Sequence, residues 1–255
     1  MKALSLYQDN GTFVHGVDPI AKLLYILAAI LIPAVLSGFA AGFVMLALSL
    51  MLLIVGRVLK RVVPLIGFSV LVLVSVVIIQ GLFYAGNRQV FAVIGGVHFY
   101  REGLLFSAAI CLRVLNILCA FALLVLTTRP SDLIEALVRK GLSPHLGYVL
   151  SSVLQLIPQM TATMETITDA QRSRGMETEG SLLTRVKAFL PLIGPVVMNS
   201  LVSTRERSLA LEVRGFSAHT PKTFLNEAQD STGNRIIRIV LVVAMVAAVV
   251  WRISA

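Results

Sequence analysis

The sequence predicts an all-α, polytopic membrane protein with about five transmembrane helices and a long cytoplasmic helical domain. Three observations carry that prediction. The chain of 255 residues is 57% hydrophobic and only 14% charged, where soluble domains carry about 25% charge; its mean hydropathy is +0.87. The apolar residues fall in runs near the 20 or so that a helix needs to cross a bilayer. Lysine and arginine gather in alternate short connections, as membrane orientation requires.

The opening MKALSLYQDNGTFVHG has no apolar core behind its lysine and no small-residue cleavage site, so it is not expected to act as a signal peptide. The first span is read at about 20–37, IAKLLYILAAILIPAVLS, and the second at about 39–56 after a tight turn at Ser37-Gly38. The third covers about 62–83, the fourth about 104–126 and the last about 236–253. Pro33 and Pro64 fall in or near two of these, which membrane helices tolerate when neighbours satisfy the freed carbonyls.

Lys2 and Lys22 flank the first span, Arg57, Lys60 and Arg61 crowd the next turn, and Arg129, Arg139 and Lys140 follow the fourth span. The opposite side receives Arg88, Arg101 and Glu102 in the loop 84–103. The asymmetry places the N-terminus in the cytoplasm and the chain in the cell membrane as a multi-pass protein. It also explains the net charge of +9, which in a soluble protein would point to nucleic acid; no interleaving of aromatic and basic residues supports that here. Residues 1–128 and 236–255 then form the transmembrane domain, and 129–235 the cytoplasmic one.

The cytoplasmic stretch is not a linker, because it lacks Gly/Ser or Pro-rich composition. SDLIEALVRKG reads as a short amphipathic helix, with Ser131 as N-cap, acids early, Arg139 and Lys140 late, and Gly141 as the stop. A long helix is expected from about 145 to 174 and another from about 181 to 214, bent near Pro191 and Pro195. The apolar segment FLPLIGPVVMNSLV in the second is too short and broken to span, yet too apolar for a solvated face.

Both long helices end alike, in AQRSRGMETEG and LALEVRGFSAH. A cation in a last turn suits the negative end of the helix dipole, and a following glycine ends the helix, so one Arg-Gly pair is an ordinary terminus. Two such endings, Arg174-Gly175 and Arg214-Gly215, each deliver an always-charged guanidinium to a helix tip. Such a tip can insert between acidic and carbonyl groups of a docked protein, and two like tips imply two like partners or one partner with two equivalent grooves.

Elsewhere the chemistry is sparse. Arg113 lies near the middle of the fourth span, where a charge costs about 2.5–3.5 kcal/mol on insertion scales; Asn116 and Gln80 are its candidate partners, and burial at a helix contact is the plainer reading. Cys111 and Cys119 read as packing residues. His15, His98, His145 and His219 are scattered, so neither a metal site nor a cofactor is expected. Thr127-Thr128 mark an exit from helix to loop. Glu165 and Asp169 share a face with Arg172 and read as a solvated or salt-bridged surface rather than an acid–base pair. No phosphate-cradling Gly-x-x-x-x-Gly-Lys-Ser/Thr loop occurs, so ATP-driven work would have to come from another chain.

The chain resembles, along nearly its whole length, the transmembrane T component of energy-coupling factor (ECF) transporters. The resemblance rests on DPIAKLL (Asp18 to Leu24), on EGLLFSAAICLRVLN followed by LVLTTRPSDLIEAL, and on the two Arg-Gly helix ends. That family's helix tips usually read Ala-Arg-Gly; here they are Ser173-Arg174-Gly175 and Val213-Arg214-Gly215. The resemblance implies a non-catalytic coupling subunit with a cytoplasmic coupling domain. Its tips would dock into two ABC ATPase subunits, as a homodimer or heterodimer. An apolar platform, including Leu190, Leu192, Ile193, Val196, Val197 and Met198, would hold a membrane-embedded S component that captures a vitamin or transition-metal ion. Two other classes compete. A conventional ABC permease would present one coupling loop per chain and work in pairs, and a stand-alone membrane enzyme would need a nucleophile–base or metal constellation that this sequence lacks.

Overall fold

The computed structural model describes residues 7, 10–36, 38–86, 88–94, 97–175, 182–218, 224 and 232–254, without the side chains of 92–94, 97 and 182–192. Among these residues the protein is helical apart from one small hairpin. Three helices are long and apolar enough to cross a membrane: α4 (Leu59–Phe83), α5 (Arg101–Thr127) and α9 (Thr232–Ser254). Two shorter apolar helices, α2 (Pro19–Val35) and α3 (Phe39–Val55), complete the five apolar helices expected. A single helical turn, α1 (Phe13–Gly16), precedes them. The remaining helices are α6 (Pro130–Arg139), α7 (Pro144–Ser173) and α8 (Leu182–Val213). The hairpin was not anticipated in the loop 84–103. Its strands, β1 (Val90–Ile94) and β2 (Val97–Tyr100), pair antiparallel with a register shift between Val90 and Ala92.

The chain divides into two compact units. One comprises Ser5–Leu137 with Ala228–Ala255 and holds the apolar helices; the other spans Val138–Glu227.

In the first unit α5 is the central helix, packing on α2, α3 and α4, while α9 packs on α2. Small residues let the backbones approach, as helix association in lipid requires. Ala28, Ala29 and Ala120 are buried, and a Cβ on Gly42 would touch the Leu112 side chain at 3.8 Å. Gly81 is tighter, since a Cβ there would lie 3.0 Å from the Phe99 ring and 3.3 Å from Leu104.

Polar groups inside this unit are joined to one another. Tyr25 Oη and Ser49 Oγ are 2.6 Å apart, and Ser49 Oγ lies 3.0 Å from Asn116 Oδ1 and 2.9 Å from the Met45 carbonyl. Asn116 Nδ2 donates to the Ala29 carbonyl at 2.8 Å. Asn116 therefore ties α5 to α2 and α3 and does not partner Arg113. Glu102 does not partner it either; its carboxylate accepts from the backbone N–H groups of Arg88 and Gln89 at 3.2 Å.

The motif residues Asp18 and Lys22 sit at the start of α2. Asp18 caps the helix by accepting from Ile20 N at 3.4 Å, and its carboxylate lies 3.6 Å from Arg238 Nε of α9. Lys22 is buried, 4% exposed. Its ammonium donates to the Thr127 carbonyl at 2.9 Å and the Thr128 hydroxyl at 3.0 Å. Lys22 is thus an internal tie rather than one of the surface charges that orient the chain. Ser131 is also not the cap expected of it. α6 begins at Pro130, where a proline gives up no needed N–H, and the Ser131 hydroxyl turns to Asp132 at 3.2 Å.

Candidate functional site

The second unit is built around the pair α7 and α8. α7 starts cleanly: Ser143 caps it by accepting from Leu146 N at 3.3 Å, and Pro144 fills the first position. α8 runs unbroken through Pro191 and Pro195. The helices meet where Arg207 Nη2 donates to Gln159 Oε1 at 2.6 Å, beside a groove lined by Leu156, Met160, Thr163, Asn199 and Ser203.

Each helix ends as its sequence predicts, and the backbone bonds show how. After α7, Gly175 has φ +88°, and its N–H bonds the Arg172 carbonyl at 2.9 Å. After α8, Gly215 has φ +72° and its N–H bonds the Glu212 carbonyl at 2.9 Å, while Phe216 N–H reaches back to Leu211 at 3.0 Å. Those two bonds make a Schellman motif, which needs a residue with positive φ at the glycine position. Arg174 and Arg214 stand next to these glycines, both exposed. Neither guanidinium pairs with another described side chain.

The second tip is braced by Phe216. Its ring packs on His145 at 5.1 Å and on Tyr148 at 5.3 Å between centroids, both in the first two turns of α7. Arg214 therefore lies beside the start of α7 and Arg174 at its end. α7 has 30 residues, so at 1.5 Å per residue about 45 Å of helix separates the two levels. The helix pair thus carries two like cationic tips at opposite ends of α7.

Of the expected platform residues, Ile193, Val197 and Met198 are exposed, at 49%, 47% and 64%. Val196 is 8% exposed and is packed inside the protein, so it is not surface for a partner. The side chains of Leu190 and Leu192 lie outside the described residues. Leu201 and Val202 extend the exposed apolar face of α8. A larger apolar stripe went unread on α7: Leu146, Val149, Leu150, Val153, Leu154 and Ile157 are all more than a third exposed. Their spacing of three and four residues puts them on one helical face, a signal visible in HLGYVLSSVLQLIPQM. That face is distinct from the one carrying His145, Tyr148 and Gln159, which meets α8. Further along α7, Glu165, Asp169 and Arg172 line an open, polar groove with Thr161 and Thr168. Among the described residues no three of His, Cys, Asp and Glu come together as metal ligands would.

A largely helical unit of apolar helices, followed in the chain by a pair of long helices with exposed apolar stripes and charged tips, defines a helical membrane protein. The family CbiQ, described as cobalt transport protein, matches residues 10–223, and the chain belongs to that family. It is similar to the energy-coupling factor transporter transmembrane protein EcfT of Brevibacillus brevis, at 28% identity over 98% of both chains. The EcfT of Staphylococcus aureus is 27% identical over 85% of this chain and 84% of its own length. That of Lactococcus lactis subsp. cremoris is 24% identical over 96% of both. The chain is accordingly a T component of an ECF transporter, the membrane subunit of a complex with other subunits.

Proposed function

We propose that this T component couples ATP hydrolysis on two ABC ATPase subunits to substrate uptake through a separate S component, with no catalytic activity of its own. The observation that carries the reading is the bracing of Phe216 on His145 and Tyr148, which sets the Arg214 tip and the Arg174 tip at opposite ends of α7. One subunit can then reach two ATPases at once, one through Ser173, Arg174 and Gly175 and the other through Val213, Arg214 and Gly215. A guanidinium with five donors that pairs with no other described side chain is suited to a carboxylate- and carbonyl-lined groove. The exposed apolar faces of α7 and α8 are larger than solvated helices keep without a partner. They, with Leu190 and Leu192, are assigned to the S component, whose own site selects the cargo, a vitamin or a transition-metal ion.

In this reading 129–235 is a cytoplasmic coupling domain, and 1–128 with 236–255 lie in the cell membrane with the N-terminus inside. With Lys22 withdrawn as an orienting charge, Arg57, Lys60, Arg61, Arg129, Arg139 and Lys140 still outnumber Arg88 and Arg101 on the other side, which supports that orientation.

The test is co-purification and uptake with the native partners. Arg174→Ala and Arg214→Ala should each weaken ATPase association by about tenfold or more, the loss of a charge-assisted contact, and the double variant should do worse. Arg205→Ala, away from the tips, should leave association near normal. Normal import by both tip variants would remove the coupling role, and recovery of two copies of this chain per ATPase pair would instead favour a conventional ABC permease.

A further inference from the structure

The helices of the membrane unit do not all reach the same height. α2 and α3 have 17 residues each, about 25 Å of helix, short of the 30 Å or so of a hydrocarbon core. α4 and α5 have 25 and 27. At one end α2 and α5 are level, because Lys22 bonds Thr127 and Thr128. At the other end they are not. Pro33, Gly38, Phe39 and Gly42 line a notch with Ala109, Leu112 and Arg113 of α5, so the turn between α2 and α3 lies beside the Ala109–Arg113 stretch. From Ala109, α5 continues about 12 Å further to Arg101. Tilt does not remove this step, since both heights are taken along the same helix.

Two groups at the step require polar surroundings. The irregular backbone around Gly38 cannot face hydrocarbon. Arg113 is exposed and makes no ion pair with a described residue. Measured along α5 it stands only about 21 Å from Thr127, inside an undisturbed bilayer of about 30 Å. A charge and an open turn at the same height share one solution, which is a headgroup drawn down to them; snorkelling and local thinning are the known means.

We propose that the notch between the α2–α3 turn and Arg113 is a phospholipid site, in which the guanidinium binds the headgroup phosphate of the leaflet opposite Lys22 and Thr127. Charge complementarity selects the occupant: a planar guanidinium pairs with a phosphate through two parallel hydrogen bonds, while Gly38, where a Cβ would meet only the Leu36 carbonyl at 3.9 Å, leaves room beside it. The site requires neither orientation of the chain nor the coupling role of the tips.

The test uses the full chain in vesicles of phosphatidylethanolamine and phosphatidylglycerol. Native mass spectrometry should find a phospholipid retained on the wild type in preference to a phosphate-free galactolipid by about tenfold or more, the scale of one charge-assisted bond. Arg113→Gln should erase that preference, and Arg113→Lys should keep part of it. Inorganic phosphate should not displace the lipid; displacement would mean a free-anion site and overturn the proposal. A second measurement needs no change at Arg113. A Cβ on Gly38 would meet nothing nearer than the Leu36 carbonyl at 3.9 Å, so a spin label on Gly38→Cys, with Cys111 and Cys119 replaced by Ser, fits there. It should be relaxed by a water-soluble nickel reagent more than by oxygen. A label that behaves as if deep in hydrocarbon, or equal lipid retention by wild type and Arg113→Gln, would overturn the site.

Discussion

The ammonium of Lys22 donates a 3.0 Å hydrogen bond to the hydroxyl of Thr128, across 106 residues of sequence. The bond joins the two stretches on which the family resemblance rests, the Asp-Pro-x-x-Lys segment and the Thr-Thr pair, and it holds the point where the chain leaves α5 for α6. An apolar side chain of similar length escapes the ammonium's desolvation cost, but it leaves the buried Thr127 carbonyl and Thr128 hydroxyl without their donor, a loss of about 1–3 kcal/mol. Lys22→Met should therefore cost about 1–3 kcal/mol. Lys22→Glu sets a buried carboxylate against the Thr127 carbonyl, with one hydroxyl, that of Thr128, placed to donate to it, and should cost about 3 kcal/mol or more. Thermal unfolding in detergent measures both, and equal stabilities would mean that residue 22 is not held there.

The Tyr25–Ser49 pair is suited to a cleaner measurement, because Tyr25→Phe and Ser49→Ala remove hydroxyls and little volume. Interhelical hydrogen bonds within membranes contribute about 0.6 kcal/mol on average and up to about 1.7. Each single change should fall in that range. The double change should cost less than the sum, because both remove the same 2.6 Å bond. Strict additivity in the thermal unfolding cycle would show that the two hydroxyls do not interact.

Tip shape can be separated from tip charge at Gly215. With φ at +72°, alanine there is strained by about 1 kcal/mol, asparagine tolerates the conformation and a β-branched residue does not. Gly215→Asn should bind the ATPases nearly as the wild type does, Gly215→Ala about fivefold more weakly, and Gly215→Val more weakly still, though all retain Arg214. Binding that follows only the presence of Arg214 would leave the glycine a plain helix end.

How far the sequence predicts this molecule depends on whether a signal is local. The five apolar helices follow from run length, and the ends of α7 and α8 follow from Arg-Gly, because both are decided within a few residues. The hairpin 90–100 was hidden by its setting: VFAVIGGVHFY alternates too weakly to separate it from loop. Lys22 reads identically whether it flanks a span at the surface or is buried against Thr127, since only the partner residues, far along the chain, distinguish the two. Arg113 has the same ambiguity, because its depth depends on where a neighbouring hairpin turns. Ser131 is not the cap because α6 already begins at Pro130, and Val196 is buried where Val197 is exposed because side chains one position apart on a helix face different ways.

The exposed stripe of α7 gives the most demanding prediction, because it asks one helix to keep two contacts apart. Val149, Val153 and Ile157 stand on a face that α8 does not cover, each more than two-fifths exposed, while Gln159 on another face bonds Arg207. A carboxylate placed in the stripe keeps the fold, since it replaces a half-exposed side chain that, in the proposed cytoplasmic placement, already meets water. It opposes any apolar partner, because burying an unpaired charge costs several kcal/mol. Val153→Asp should therefore remove the S component from the purified complex and abolish uptake, yet leave the ATPases bound through Arg174 and Arg214. Gln155→Asp adds the same charge at an exposed position away from the stripe and should leave both partners in place. Loss of the ATPases together with the S component in Val153→Asp would mean that the stripe and the tips act as one surface. Retention of the S component would assign its contact to another part of the chain.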